Sequence, residues 1–193
     1  MAASRTLRRS LLGSCAALLL VCMARGASAQ SLGDEAVAKA KLVTALIRFV
    51  QWPAHTFDDD ASPVRLCIYT QSQGLERAFQ AYDRAAIGRR ALQLAFNPPR
   101  GQIGQSGSQA CHALYLDDAS RMAMADLRGN SASGVPGTPF SVGNADGFLA
   151  DGGMVELVHV ENSMRFDVNL GALKDAGLSV NPGVLKLARR VKP

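Results

Sequence analysis

The sequence is poor in the residues that usually bind metals. Its three histidines, His55, His112 and His159, fall on a predicted loop and two different predicted strands, without the short spacing that zinc ligands usually show. Cys111 and His112 are neighbours, but adjacent residues of a strand point to opposite faces. We therefore expect no metal site.

The sequence also lacks the motifs of common catalytic and nucleotide sites. No serine stands in a nucleophile elbow. Gly101, Gly104 and Gly107 lie in a loop rich in Gly, Gln and Ser, whereas a phosphate loop needs a strand immediately before it and a helix immediately after it. We therefore predict no catalytic residue and no cofactor, and we interpret the chain as something other than an enzyme.

No apolar run is long enough for a membrane span, which needs about 20 residues. The longest run, Leu11 to Met23, follows a basic start and precedes Ala27-Ser28-Ala29. This order is typical of a cleavable signal peptide cut before Gln30, so we expect a soluble periplasmic protein without a membrane span. A lipid-attachment reading of Leu12 to Cys15 remains open, but Cys15 precedes most of the apolar run.

A net charge is also nearly absent once the leader is removed. Four arginines of the leader account for most of the net charge of +5, so residues 30–193 carry 17 basic and 16 acidic residues. This balance gives no support for nucleic-acid binding. Residues 1–29 are thus predicted as the leader and residues 30–193 as one domain, a length that suits a single hydrophobic core.

Only two cysteines, Cys67 and Cys111, lie outside the leader. In an oxidising compartment we expect them to form a disulfide bond with each other. Two interpretations of this bond remain open. It is either a structural crosslink or a redox sensor, and the second would require a strained or exposed bond.

The pattern of apolar residues predicts a single α/β domain. Its mixed, mostly parallel sheet is flanked by helices and ends in a C-terminal antiparallel hairpin. Asn181-Pro182 is predicted to open a terminal helix that reaches Arg190. Another predicted helix, Ala36 to Val50, is stopped by Trp52-Pro53. Two more are predicted at Gly74 to Arg84 and Ala119 to Leu127. The main predicted strands are Val64 to Tyr69, Ala91 to Phe96, Cys111 to Leu116, Met154 to Val160, and Met164 to Leu170.

A few residues are candidates for binding. Phe148 precedes Asp151-Gly152-Gly153, so its ring either faces a partner or folds back over the core. Trp52 is the only tryptophan and a second candidate anchor, although core burial is the commoner outcome. Arg165 on the hairpin is a candidate carboxylate-binding residue. Asp117-Asp118 either cap a helix or mark a ligand site at the end of a strand.

Four separated segments resemble the YfiR family of periplasmic regulators. The strongest is Gly147-Phe148-Leu149-Ala150-Asp151-Gly152-Gly153-Met154-Val155, followed by Met164-Arg165-Phe166-Asp167-Val168-Asn169-Leu170. The others are Ile47 to Pro53, the strand Leu66-Cys67-Ile68 together with Cys111, and the ending Leu185 to Val191. The resemblance extends over essentially the whole chain after the leader.

The resemblance implies a function. A YfiR-type protein binds the periplasmic part of an inner-membrane diguanylate cyclase and represses it. Release by redox change, envelope stress or an outer-membrane-associated partner raises cyclic di-GMP and favours biofilm. Family members are also found as homodimers, and Cys67 and Cys111 match the family's disulfide pair. Some members carry a second cysteine pair where this chain has Leu149 and Glu156, so a switch built on that bridge cannot operate here.

Two functional hypotheses follow. The first is a repressor of a diguanylate cyclase, with Phe148, Arg165, Met154 and Trp52 as candidate partner-binding residues. The second is a periplasmic small-ligand receptor, with a pocket at the strand ends near Gln71 to Gly74 and Asp117-Asp118.

Overall fold

The computed structural model describes residues 33–99, 103, 109–118, 138–161 and 163–193. The predicted leader and the predicted helix from Ala119 to Leu127 lie outside these residues. Helix α1 covers residues 33–47. The remaining elements are β1 (Val50–Gln51), β2 (Val64–Tyr69), α2 (Gln73–Gln80), β3 (Ala86–Ile87), β4 (Arg90–Phe96), β5 (Ala113–Leu116), β6 (Phe140–Gly143), β7 (Val155–Val160), β8 (Ser163–Asn169), α3 (Leu170–Asp175), β9 (Ser179–Val180), α4 (Pro182–Leu185) and β10 (Arg190–Lys192).

Eight of these strands form one sheet in the order β10-β8-β7-β6-β5-β2-β4-β3. Its pairings are parallel except for β7 with β8 and β3 with β4. This confirms the predicted α/β class, the mostly parallel sheet and the C-terminal antiparallel hairpin. Strands β1 and β9 form a separate antiparallel pair.

The two faces of the sheet are covered differently. Side chains alternate along each strand, so Leu66 and Ile68 point to one face while Cys67 and Tyr69 point to the other. The first face, here the helix face, packs in one apolar cluster with buried residues of α1, α2, α3 and α4. The opposite face, here the loop face, carries a second and smaller cluster around Cys67, Leu114 and Phe148.

Helix α1 ends earlier than the sequence predicts. It stops at residue 47, and Phe49 N–H bonds the Leu46 carbonyl oxygen at 3.0 Å. Val50 and Gln51 then pair with β9, so the expectation of a helix through Val50 is wrong. Val50 is β-branched, which favours a strand. Its strand partner is distant in sequence, so the local pattern of apolar residues does not reveal the pairing.

The hairpin and the short helix after it follow the sequence closely. Strands β7 and β8 pair in register from Val155 with Val168 to Val160 with Ser163. The Asn169 side chain accepts a hydrogen bond from Ala172 N–H and caps α3. Gly177, at φ +68°, follows this helix, a position and conformation that favour glycine.

The C-terminal segment differs from the prediction. Asn181 caps α4 and Pro182 opens it, as expected, but the helix ends at Leu185. Arg190–Lys192 instead form β10, which pairs in parallel with β8. The predicted helix through Arg190 is therefore wrong, because β8 offers an unpaired edge that this segment fills. Helix α2 likewise ends at Gln80 rather than at Arg84, which has a positive φ of 61°.

Candidate functional site

Phe148 lies in the loop between β6 and β7, and two glycines leave room for its ring. The residue is fully buried, at 0% exposure. A Cβ at either Gly143 or Gly153 would overlap the ring. The ring therefore folds back over the core, which corrects the alternative expectation that it faces a partner.

The ring of Phe148 belongs to the same cluster as the disulfide bond. Cys67 lies on the loop face of β2, and Cys111 lies two residues before β5. The structure bonds the two, with their Cα atoms 5.7 Å apart, as the sequence predicts. Both cysteines are buried, at 0% and 3% exposure. Burial favours the structural crosslink over the redox sensor, because an exchange partner must reach a sulfur atom.

The backbone of the same loop is fixed by two polar side chains of the hairpin. Glu156 Oε2 accepts a hydrogen bond from Leu149 N–H at 3.1 Å, and Asn169 Nδ2 donates to the Leu149 carbonyl oxygen at 3.3 Å. These contacts hold the loop of residues 144–153, here the Phe148 loop, against the loop face. Glu156 stands where some YfiR-type proteins have a cysteine, and here it attaches the loop through a hydrogen bond.

Arg165 is the one predicted partner-binding residue whose side chain is freely exposed on the sheet. It shares one face of β8 with Asp167 and Asn169, which are paired with Arg190 and Lys192 of β10. Arg165, Arg190 and Lys192 therefore lie on the loop face, and all three are exposed. We call these three residues the basic patch.

A buried carboxylate lies beside the basic patch. Asp167 is 5% exposed, and Arg189 holds it through two hydrogen bonds, Nε to Oδ1 at 2.9 Å and Nη2 to Oδ2 at 2.5 Å. The side-chain hydrogen bond to Asp167 raises the pKa of Arg189 above its usual value. This pair attaches β10 to β8. It leaves Arg165, Arg190 and Lys192 as the exposed positive charges of the patch.

The other two predicted contact residues are not freely exposed. Met154 is 2% exposed, and its backbone N–H donates to Ser141 Oγ at 3.1 Å. Trp52 is partly buried, and its Nε1 donates to the His112 carbonyl oxygen at 3.4 Å. Neither lies in the basic patch. The structure therefore does not bring the four candidates together on one surface.

Polar side chains meet at the carboxyl ends of β2, β4 and β5, where the rival hypothesis placed a ligand. Thr70 Oγ1 donates to Asp117 Oδ2 at 2.8 Å. The Asn97 side chain accepts from Thr70 N–H at 3.1 Å and donates to the Thr70 carbonyl oxygen at 3.0 Å. Burial raises the pKa of the nearby Tyr115, with the Asp117 charge acting in the same direction. These groups satisfy one another, so their hydrogen bonds serve the fold.

An aromatic cluster at the amino ends of the same strands was not foreseen from the sequence. The Phe57 ring packs edge-on against Trp52 at 5.8 Å and lies 4.6 Å from the His112 ring, measured between centroids. The guanidinium of Arg90 covers the Phe57 ring at 3.9 Å. Burial lowers the pKa of His112, whose Nδ1 accepts a hydrogen bond from Arg65 N–H at 2.9 Å.

Two features are absent from the described ranges. There, no group of three or more His, Cys, Asp or Glu side chains is arranged to hold a metal ion. No helix in the same ranges is both long and apolar enough to span a membrane.

The fold and its disulfide define a mixed α/β domain with one face under helices and the other under the Phe148 loop. A family model described as YfiR/HmsC-like matches residues 36–189. The chain therefore belongs to the YfiR/HmsC-like family, which confirms the resemblance seen in the sequence. The family is one of regulators rather than of enzymes, and membership supports a periplasmic regulator.

Two solved structures are similar to this chain at low identity. One is an ABC domain from Streptococcus pneumonia in complex with L-Trp, 15% identical with a TM-score of 0.49, which matches 79% of this chain and 61% of its own. The other is a conserved domain protein from Vibrio cholerae, 13% identical with a TM-score of 0.42; the match covers 66% of this chain and 54% of that protein's chain. The chain spans less than two thirds of either protein, and neither similarity transfers a ligand.

Proposed function

We propose that this protein is a periplasmic negative regulator that binds the periplasmic sensor domain of an inner-membrane diguanylate cyclase and represses cyclic di-GMP synthesis. The observation that carries the proposal is the family match, which runs over residues 36–189 and so includes nearly every described element. Loss of the complex would then raise cyclic di-GMP and favour biofilm.

A domain of this kind needs no chemistry of its own to control an enzyme. A sensor domain that exchanges between an active and an inactive conformation shifts toward whichever one the regulator binds more tightly. Each tenfold preference for the inactive conformation corresponds to about 1.4 kcal/mol. Repression is therefore a matter of selective binding, and the surface that makes the contact decides it.

The basic patch is the contact surface that we propose. Arg165, Arg190 and Lys192 put three exposed positive charges on two neighbouring strands, with Asp167 neutralised by Arg189 between them. An acidic surface of a sensor domain would be steered toward this patch and oriented by it. Phe148 and Met154 are buried, so they would act only indirectly, by fixing the Phe148 loop and the start of the hairpin.

Capture of the partner tests the proposal. The exported protein, residues 30–193, is used to pull down solubilised inner-membrane proteins, and Arg165→Glu and Arg190→Glu are compared with wild type. Arg77→Glu is the matched control, since Arg77 is exposed on α2, which packs on the helix face through Phe79 and Tyr115. We expect a diguanylate cyclase in the wild-type and Arg77→Glu samples, and much less of it with the other two.

Other outcomes would count against the proposal. Absence of any cyclase from a wild-type capture would contradict the repressor function. Equal capture of a cyclase by Arg165→Glu and Arg77→Glu would support the cyclase as the partner but exclude the basic patch as the contact surface. The homodimer and the outer-membrane-associated release partner rest on the family resemblance alone. Sedimentation and cross-linking of the same sample would test the dimer.

The small-ligand receptor remains the second candidate, because the structure does contain a cavity that suits a small molecule. It does not lie at the predicted strand ends. It lies at the amino ends of the parallel strands, between Trp52, Phe57 and the β3–β4 turn.

A further inference from the structure

A cavity of about 260 Å³ opens between the end of α1, the segment after β1 and the turn from β3 to β4. Its wall includes Trp52, Phe57 and Ile87, and its charged lining includes Arg48, Arg89 and Arg90. Pockets for drug-sized molecules have volumes of about 300–1,000 Å³, so this cavity suits a smaller occupant. We propose that it binds a small organic anion with a flat apolar body, independently of any cyclase partner.

The charge of the cavity favours an anion. Arg90 is already engaged, since it covers the Phe57 ring and its Nη1 donates to the carbonyl oxygens of Asp59 and Ser62 at 2.6 and 2.8 Å. Asp60 lies 3.8 Å from Arg90 Nη2, and its side chain is fully turned to solvent. Arg48 and Arg89 are exposed, and neither makes a hydrogen bond or ion pair to any described residue. Two guanidinium groups are thus available to an anion.

The placement of these two arginines is fixed by the fold. Arg89 belongs to the two-residue turn between β3 and β4, in which Gly88 has a φ of 61° and Ile87 pairs with Arg90. Arg48 follows α1 directly, where the dipole of the helix also favours a positive charge. Arg89 does not follow a helix, so no helix dipole explains a positive charge at that position. Guanidinium groups bind carboxylate or phosphate in a planar, bidentate geometry.

The apolar wall is preorganised. The edge-on contact with Phe57 and the hydrogen bond from Nε1 to the His112 carbonyl oxygen fix the Trp52 ring. Ile87 is 6% exposed and Val64 is 1% exposed, so the wall continues into the core. A rigid apolar wall beside two available cations selects a ligand that has both an apolar plane and a negative group, because little ordering is required on binding.

Trp52 makes the test direct, since it is the only tryptophan of the chain. Its fluorescence is followed while the exported protein, residues 30–193, is titrated with benzoate, phenyl phosphate, neutral benzamide, or sulfate. We expect a saturable change with benzoate or phenyl phosphate, and the tighter of the two identifies the carboxylate or the phosphate as the preferred group. Benzamide and sulfate should each bind at least about tenfold more weakly.

Variants then assign the anion to its arginines. Arg89→Gln and Arg48→Gln should each weaken binding of the preferred probe about five- to tenfold, while Arg77→Gln on α2 should leave it unchanged. Far-UV circular dichroism checks that all three variants fold. Absence of saturation with both anionic probes, equal binding of benzamide, or equal weakening by Arg77→Gln would each overturn the proposal. Because no partner is present, failure here is separable from failure of the repressor function.

Discussion

The ring of Phe148 and the backbone of Gly153 lie in direct contact, and a 2.9 Å hydrogen bond from Gly153 N–H to the Phe148 carbonyl oxygen closes the loop around the ring. Gly143 lies against the same ring from β6. The two glycines therefore act as packing residues. Their missing side chains are the space that the phenyl ring fills, and through it the loop covers the disulfide bond.

Replacement of Gly153 by alanine should lower the free energy of unfolding by about 1–3 kcal/mol, because the added methyl group overpacks a filled site. Gly74→Ala is the matched control. A Cβ there meets only Ser72 Oγ at 3.6 Å, and alanine is the better helix former within α2. Urea unfolding of the two variants gives the comparison. Equal free energies of unfolding for Gly153→Ala and Gly74→Ala would contradict the close packing around Phe148.

Removal of the disulfide bond should cost about 4 kcal/mol in the loop-entropy model. Cys67 and Cys111 are 44 residues apart in sequence, so the bond closes a long loop of the unfolded chain. The double variant Cys67→Ala/Cys111→Ala and the wild-type protein are compared by urea unfolding, with and without a reductant. A reductant should lower the stability of the wild type only. A double variant as stable as oxidised wild type would exclude the crosslink as a stabilising element.

Stability should fall as the pH drops below about 6.5, because burial lowers the pKa of His112 from its usual value of 6.5 in the folded state. The unfolded chain then binds a proton that the folded chain resists, so this contribution is fully present above the unfolded pKa and is lost on acidification. The backbone hydrogen bond to Thr56 and the Asp58 charge oppose burial, whereas the Arg90 and Arg65 charges lower the pKa of His112 further. Melting temperatures between pH 5 and 8 provide the measurement.

His112→Gln should flatten this part of the pH profile. His55→Gln, an exposed histidine in the neighbouring 3-10 turn, should keep it. A profile of His112→Gln that still follows the wild type would assign the pH dependence to another group.

Arg189→Met should destabilise the protein, since it leaves the Asp167 carboxylate buried without its partner. The double variant Asp167→Asn/Arg189→Met should be more stable than Arg189→Met alone, because the buried charge is then absent. Thermal melting of the two variants tests this order. The reverse order would mean that the unpaired Asp167 carboxylate is not what destabilises Arg189→Met.

The sequence was sufficient for the sheet and for the disulfide partners, because both depend on strong local patterns. Strands β2, β4 and β7 are mostly apolar, β8 alternates polar and apolar residues, and two cysteines outside the predicted leader allow one pairing. It was insufficient for β1 and β10, whose two or three residues form strands only because β9 and β8 offer an edge. Such pairing is set by tertiary contacts, and a short polar segment such as Arg190–Lys192 gives no strand pattern of its own.

The candidate site was predicted less well. Arg165 is exposed, as a charged residue on a hairpin usually is, and its contact with a partner stays a prediction. The burial of Phe148 depends on Gly143, which lies outside its own loop, so the sequence left both orientations open. The cavity beside Trp52 was missed because its walls come from the end of α1, the segment after β1 and the β3–β4 turn, which only the folded chain brings together.

The bond between Cys67 and Cys111 also determines how the molecule would respond to force. Pulled from its two ends, the oxidised chain carries tension through the sulfur atoms and bypasses the enclosed segment, which holds α2, β3 and β4. About 150 Å of contour length would therefore be withheld from extension, at about 3.3–3.6 Å per residue. Strands β3 and β4, at one edge of the sheet, would detach only while still tethered by the disulfide bond. Tension on the other strands would not load the enclosed segment.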